Sequence, residues 1–163
     1  MRPRLWPLTL PFAIAVSQWW RYHDRLPERM ATHFDAAGRA NSWMSRQGFF
    51  VFSFGMLAFM SLVFFGAGGL IRLLPPRLVN LPNRDYWLAP ERRDATIADM
   101  ATRMARLGLV ALLFIVAIDE LVLRANVAGG DLPGAPIWIG LALVLALTAV
   151  WMVRLYRRFR LPK

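Results

Sequence analysis

From Phe49 to Ile71 the chain runs for 23 residues without a charged side chain, with only Ser53 and Ser61 to interrupt its apolar character. A helix of that length rises about 35 Å, enough to cross the ~30 Å hydrocarbon core of a bilayer. A soluble domain of this size would spread its apolar residues periodically, and this run does not.

Three more stretches approach the same length: Leu5–Trp20, Leu107–Leu123 and Ile137–Val153. The chain therefore reads as an all-α integral membrane protein, a bundle of about four transmembrane helices. It forms a single membrane domain over 1–163, with an external loop at 21–46 and a cytoplasmic loop at 72–106. Composition agrees: 57% of residues are hydrophobic and the mean hydropathy is +0.40, where a soluble domain holds about 45–50% apolar residues even counting glycine.

Each stretch carries local signals. The first has Trp6 at one end and Trp19-Trp20 at the other, as an interfacial belt would place them. Pro7 and Pro11 fall in its first turns, where a missing amide costs least. Ala13-Ile14-Ala15 has the small-residue pattern of a signal-peptidase site, but the tryptophan pair followed by Arg21 favours an uncleaved anchor. In the second, Gly66, Gly68 and Gly69 either admit a close helix neighbour or loosen the helix end. The third holds Asp119 and Glu120. A carboxylate at the bilayer centre costs about 2.5–3.5 kcal/mol, but these two lie within about one turn of the outer boundary and read as a solvated helix end. A Gly/Pro turn (Gly129, Gly130, Pro133, Gly134, Pro136) precedes the fourth.

The net charge is +10, nearly all of it arginine. These charges sit between the apolar runs, where they orient a membrane protein and attract anionic lipid, so nucleic acid is not an expected partner. With both termini in the cytoplasm, fourteen positive residues lie inside and six outside. Glu91–Arg106 reads as an amphipathic helix on the cytoplasmic surface leading into the third span, with Ile97, Met100, Met104 and Leu107 on one side and Asp99 spaced to pair with Arg103. The absence of cysteine excludes disulfides and thiol chemistry.

Two connecting segments are too particular to be mere linkers. The first is Leu26-Pro27-Glu28-Arg29-Met30-Ala31-Thr32-His33-Phe34-Asp35-Ala36-Ala37-Gly38-Arg39-Ala40-Asn41-Ser42-Trp43, with turn formers at Asp35, Gly38 and Asn41, a titratable His33, and interfacial aromatics Phe34 and Trp43. The second is Asn80-Leu81-Pro82-Asn83-Arg84-Asp85-Tyr86-Trp87-Leu88-Ala89-Pro90-Glu91-Arg92-Arg93.

The first segment resembles the extracytoplasmic loop of SdpI-like bacterial membrane proteins, whose pattern is LPxxxPxHFNxxGxxDxW followed by Ser-Lys. Leu26, Pro27, His33, Phe34, Gly38, Trp43 and Ser45 match in register. Asp35 and Asn41 exchange the family's Asn and Asp, Ala31 replaces its proline, and Arg46 its lysine. The second segment is similar to the group's cytoplasmic NLPNKDYWLAPERR stretch, with Arg84 for lysine. The resemblance covers about two-thirds of the chain. It implies a polytopic protein of a bacterial inner membrane, in a family associated with immunity to secreted peptide toxins and with signalling.

The candidate ligand or partner residues are thus His33, Phe34, Asp35, Gly38, Asn41 and Trp43 outside, and Asn80, Pro82, Asn83, Asp85, Tyr86 and Trp87 inside. His33 with Asp35, His23 and Asp24 could be read as a metal site, but the spacing is no recognised zinc pattern, so no metal is expected. Hydrogen bonding that pins the loop, or pH sensing, is the alternative for His33. For the inner segment the alternative is structural, with Tyr86 and Trp87 as anchors and Pro82-Asn83 as a turn. No nucleophile–base set or phosphate loop is present, so neither an enzyme nor a cofactor is expected. The expected partners are membrane lipids together with a secreted peptide or another membrane protein. An accessory subunit of a larger complex is the rival reading, and a small transporter the third, with only Ser17, Gln18, Ser53, Ser61 and Thr148 to build a polar path.

Overall fold

The computed structural model describes residues 8–161. Its elements follow in the order α1 (Thr9–Tyr22), β1 (Arg29–Phe34), β2 (Ala40–Ser45), α2 (Arg46–Leu73), α3 (Arg84–Trp87), α4 (Pro90–Ala128) and α5 (Gly134–Arg158), with single 3₁₀ turns at His23–Arg25 and Pro76–Leu78. Of the described residues, 76% are helical. Among the described residues two helices, α2 and α5, are long and apolar enough to cross a membrane. The expected first span corresponds to α1, of 14 described residues; its start, with Trp6 and Pro7, lies outside the described residues. The third expected span lies inside α4.

Local chemistry sets the helix ends. The Ser45 hydroxyl accepts from the Gly48 N–H at 3.0 Å and caps the start of α2. Leu74-Pro75-Pro76 ends that helix, because neither proline has an N–H to continue it. Pro90 takes the first turn of α4, where its missing donor is harmless. At the other end Gly129 turns left-handed (φ 63°) while the Gly130 N–H reaches back to Ala125 O at 3.2 Å, so the last carbonyls are satisfied.

Helix α4 is the axis of the molecule. It runs 39 residues unbroken, so the helix expected at Glu91–Arg106 continues directly into the third expected stretch as one rod. It packs antiparallel to α2: Gly68 faces Ala101, Gly108 faces Phe64, and Ser53 hydrogen-bonds Asp119. Side chains added at Gly68 or Gly108 would collide, at 2.6 Å from Ala101 Cβ and 2.4 Å from Phe64 Cβ respectively. Of the three glycines singled out in α2, only Gly68 serves a close helix contact; a Cβ at Gly69 would meet open space.

Helix α1 completes the core around Ala15, Leu57, Leu112 and Val116. By contrast, α5 packs mainly on α4 and buries none of its residues. Its contacts with α4 include Gly140 against Phe114 and the Trp151 indole N–H donating to Arg103 O at 3.0 Å.

The all-α expectation needs one correction. The loop expected outside folds as an antiparallel hairpin, β1 against β2, with Arg29 opposite Ser45 and Phe34 opposite Ala40. Two irregularities, at Thr32 and at Asn41, break the register. They also break the inside–outside alternation that marks a strand in sequence.

Candidate functional site

The hairpin is not a free flap. On β1 the backbone N–H of Ala31 donates to Asn126 Oδ1 at 2.8 Å, and Asn126 Nδ2 donates back to Ala31 O at 2.8 Å. The same amide nitrogen also reaches Val122 O at 2.9 Å, one turn back along α4. An asparagine side chain thus pairs with the free edge of β1 as another strand would. Beneath it, Met30 is completely buried among Tyr22, Leu26, Phe49, Phe50 and Leu123.

The tip is fixed with equal care. Asp35 Oδ1 accepts from the backbone N–H groups of Ala37 and Arg39, both at 2.9 Å, and Oδ2 from Arg39 Nε at 3.1 Å. The Arg39 N–H above all holds the Asp35 carboxyl below the ordinary carboxylate range. Gly38 then adopts φ +83°, and its carbonyl accepts from the Leu132 N–H at 2.9 Å. Any side chain there would strike Leu132 O, 2.1 Å from the Cβ position. The tip therefore docks on the α4–α5 turn, which Gly38 alone permits.

Ser45 and Arg46 complete this frame. Arg46 Nη1 donates to His23 O at 2.6 Å and Leu26 O at 3.1 Å, closing the end of α1. Asp35, Gly38, Ser45 and Arg46 are thus accounted for by architecture.

What the frame holds open is a cleft of about 380 Å³ between the hairpin, α4 and the start of α5. Its floor is apolar, from Ile118, Val122, Ile137 and Trp138, and its rim carries Thr32, His33 and Asp35. His33 is exposed and its ring has no hydrogen-bond partner among the described residues. Of the six expected external residues, His33, Phe34, Asp35 and Gly38 line this cleft. Asn41 and Trp43 do not; Trp43 is 47% exposed elsewhere on the hairpin, with the Arg29 guanidinium 5.9 Å from its ring. Four exposed tryptophans (Trp19, Trp20, Trp43 and Trp138) belong to elements at this end of the molecule.

Below the hairpin, Asp119 and Glu120 do not form a solvated end. Glu120 accepts from Tyr22 Oη at 2.7 Å, Gln18 Nε2 at 3.2 Å and Arg124 Nε at 2.9 Å. Gln18 Nε2 also donates to Val116 O at 2.8 Å. Asp119 accepts from the Ser53 hydroxyl. Both acids thus tie α4 to its neighbours, Glu120 to α1 and Asp119 to α2.

The second segment closes the opposite end of the molecule. Asn83, left-handed at φ 51°, donates from Nδ2 to Phe159 O at 2.8 Å, and Trp87 Nε1 donates to the same oxygen at 2.9 Å. Phe159 is fully buried there with Val79, Leu81 and Leu88. Arg158 lies over the Trp87 ring at 5.0 Å and contacts Asp99 at 2.9 Å, which Arg103 also engages at 2.9 Å. Arg92 covers the Tyr86 ring at 4.0 Å, and Arg93 donates to Arg72 O and Leu74 O at the end of α2. Pro82 is half-buried, while Asn80 and Asp85 are exposed. Of the two readings of this segment, docking surface and structural element, the contacts are those of the second: it is largely the clamp holding the end of α5.

Among the described residues no three His, Cys, Asp or Glu side chains gather as a metal site would require. His23 Nδ1 instead lies 2.9 Å from Asp24 Oδ1.

Residues 9–57 match the family described as Domain of unknown function (DUF1648), a stretch that takes in α1, the hairpin and the start of α2. No curated protein and no solved structure matches the chain.

Proposed function

We propose that this chain is a non-enzymatic, four-span protein of a bacterial inner membrane, with both termini cytoplasmic, whose hairpin cleft recognises a secreted peptide at the outer face. The cleft carries this reading. A hairpin clamped at its edge and tip holds an unpartnered His33 above an apolar pocket of about 380 Å³, the combination of apolar floor and few polar groups that small binding sites show. The matched stretch, residues 9–57, contains the hairpin motif that resembles the SdpI-like loop. Arginine asymmetry supports the orientation, and the exposed tryptophans near the hairpin support an interfacial position for it. Immunity to the peptide is the cellular role proposed.

The test is a deletion strain challenged with secreted peptides from competitor bacteria. Deletion should sensitise the cells, and His33→Ala should reproduce part of that effect at normal protein level. Unchanged sensitivity across the panel overturns the reading.

One observation favours a second reading, an accessory subunit of a larger membrane complex: α5 has 25 residues and buries none. A stoichiometric partner after gentle detergent extraction would establish it. A transporter gains nothing from the fold. Ser17, Ser61 and Thr148 each bond a carbonyl of their own helix, and Gln18 and Ser53 are committed to α4.

A further inference from the structure

We propose that the end of the molecule opposite the hairpin carries a binding site for the phosphate headgroup of an anionic phospholipid, built on Arg77, Asn80 and Arg84. Where α2 ends, the Pro76–Leu78 turn folds the chain back around an open polar hollow of about 420 Å³, lined by these three residues and Asp85 among others. Arg84 is held in place, with Nη1 donating to Arg77 O at 2.9 Å and Nε to Asp85 Oδ1 at 3.2 Å. The Arg77 guanidinium and the Asn80 amide have no partner among the described residues. Two guanidiniums against one carboxylate leave the hollow with one net positive charge, which a phosphodiester's single negative charge balances. Planar guanidinium forks suit phosphate oxygens, and the amide adds a neutral donor.

The use made of the other arginines nearby sharpens the assignment. Arg92, Arg93 and Arg103 are occupied with Tyr86, the α2 carbonyls and Asp99. Arg77 is left over in a concave place. Leu73 and Leu78, 82% and 62% exposed, stand on either side of the bend that leads into the hollow. They place apolar surface where acyl chains would run once the headgroup is seated, and this favours a lipid over a free phosphate.

The proposal rests on the membrane reading above but not on the external ligand. The full chain would be reconstituted in phosphatidylcholine vesicles with or without phosphatidylglycerol, and the lipid retained on re-extraction would be weighed by native mass spectrometry. Phosphatidylglycerol should be retained over phosphatidylcholine, and Arg77→Gln should cut that preference about fivefold, the weight of one arginine near an anionic surface. Arg106→Gln, at another exposed arginine with no partner among the described residues, should leave it unchanged. Equal retention of the two lipids by the unaltered chain overturns the site, as does an equal loss in both variants, which would mean diffuse charge attraction. Displacement of the lipid by inorganic phosphate at matched concentration would assign the hollow to free phosphate and overturn the lipid. If the chain stays in solution without detergent, the membrane reading itself fails, an outcome distinct from all of these.

Discussion

Asn126 offers the sharpest test of how the hairpin is held. Its side chain makes three hydrogen bonds of 2.8–2.9 Å, two of them to the Ala31 backbone on β1. A protein hydrogen bond contributes about 0.5–1.5 kcal/mol net, so the two that cross to the hairpin are worth about 1–3 kcal/mol together. Replacing Asn126 with leucine keeps the volume and removes both partners. The Ala31 edge should then open about 5- to 150-fold more often, since 1.4 kcal/mol is a tenfold change. Hydrogen exchange at the Ala31 amide in detergent reads that opening directly. Asn126→Asp should show a smaller loss, because the carboxylate still accepts from the Ala31 N–H but cannot donate to its carbonyl. If Ala31 exchanges at the same rate in all three proteins, the clamp does not hold the hairpin and the reasoning fails. Met30, buried beneath, should keep its environment unless the hairpin detaches as a whole, which a methionine methyl spectrum would reveal.

Two further outcomes follow from particular contacts. The Asp35 carboxyl titrates below its unfolded value, so its contribution is complete above about pH 4 and fades as pH falls through the folded value; the stability gap between the parent and Asp35→Asn should therefore shrink on acidification, and a gap constant down to about pH 3 would contradict this. Gly108→Ala places a Cβ 2.4 Å from Phe64 Cβ, which should cost about 1–3 kcal/mol of overpacking and be relieved in part by Phe64→Ala; wild-type melting of the single variant would show that α2 and α4 separate freely there.

The sequence conveyed the apolar elements well because their signal is local. The run without charge from Phe49 to Ile71 lies within α2, and the stretch from Glu91 is helical as its spacing requires. Asp35 and Gly38 were legible as turn formers for the same reason. The hairpin was not, since its two irregularities erase the period of two within six-residue strands. Asn126 gave no signal at all: its partner lies 95 residues away, and its role exists only once the hairpin has folded back. The two acids of α4 were misjudged because depth along a helix was estimated without knowing which faces its neighbours cover. Gln18 and Tyr22 turn Glu120 inward, and nothing in their spacing pairs either with a residue about 100 positions away.

The 39-residue α4 has a mechanical consequence. At 1.5 Å per residue it measures roughly 58 Å, nearly twice the ~30 Å of hydrocarbon it would cross. The rod ties Asn126 under the hairpin at one end to Thr96 and Asp99 at the Phe159 clamp at the other, so a tilt imposed on either end is carried to the other.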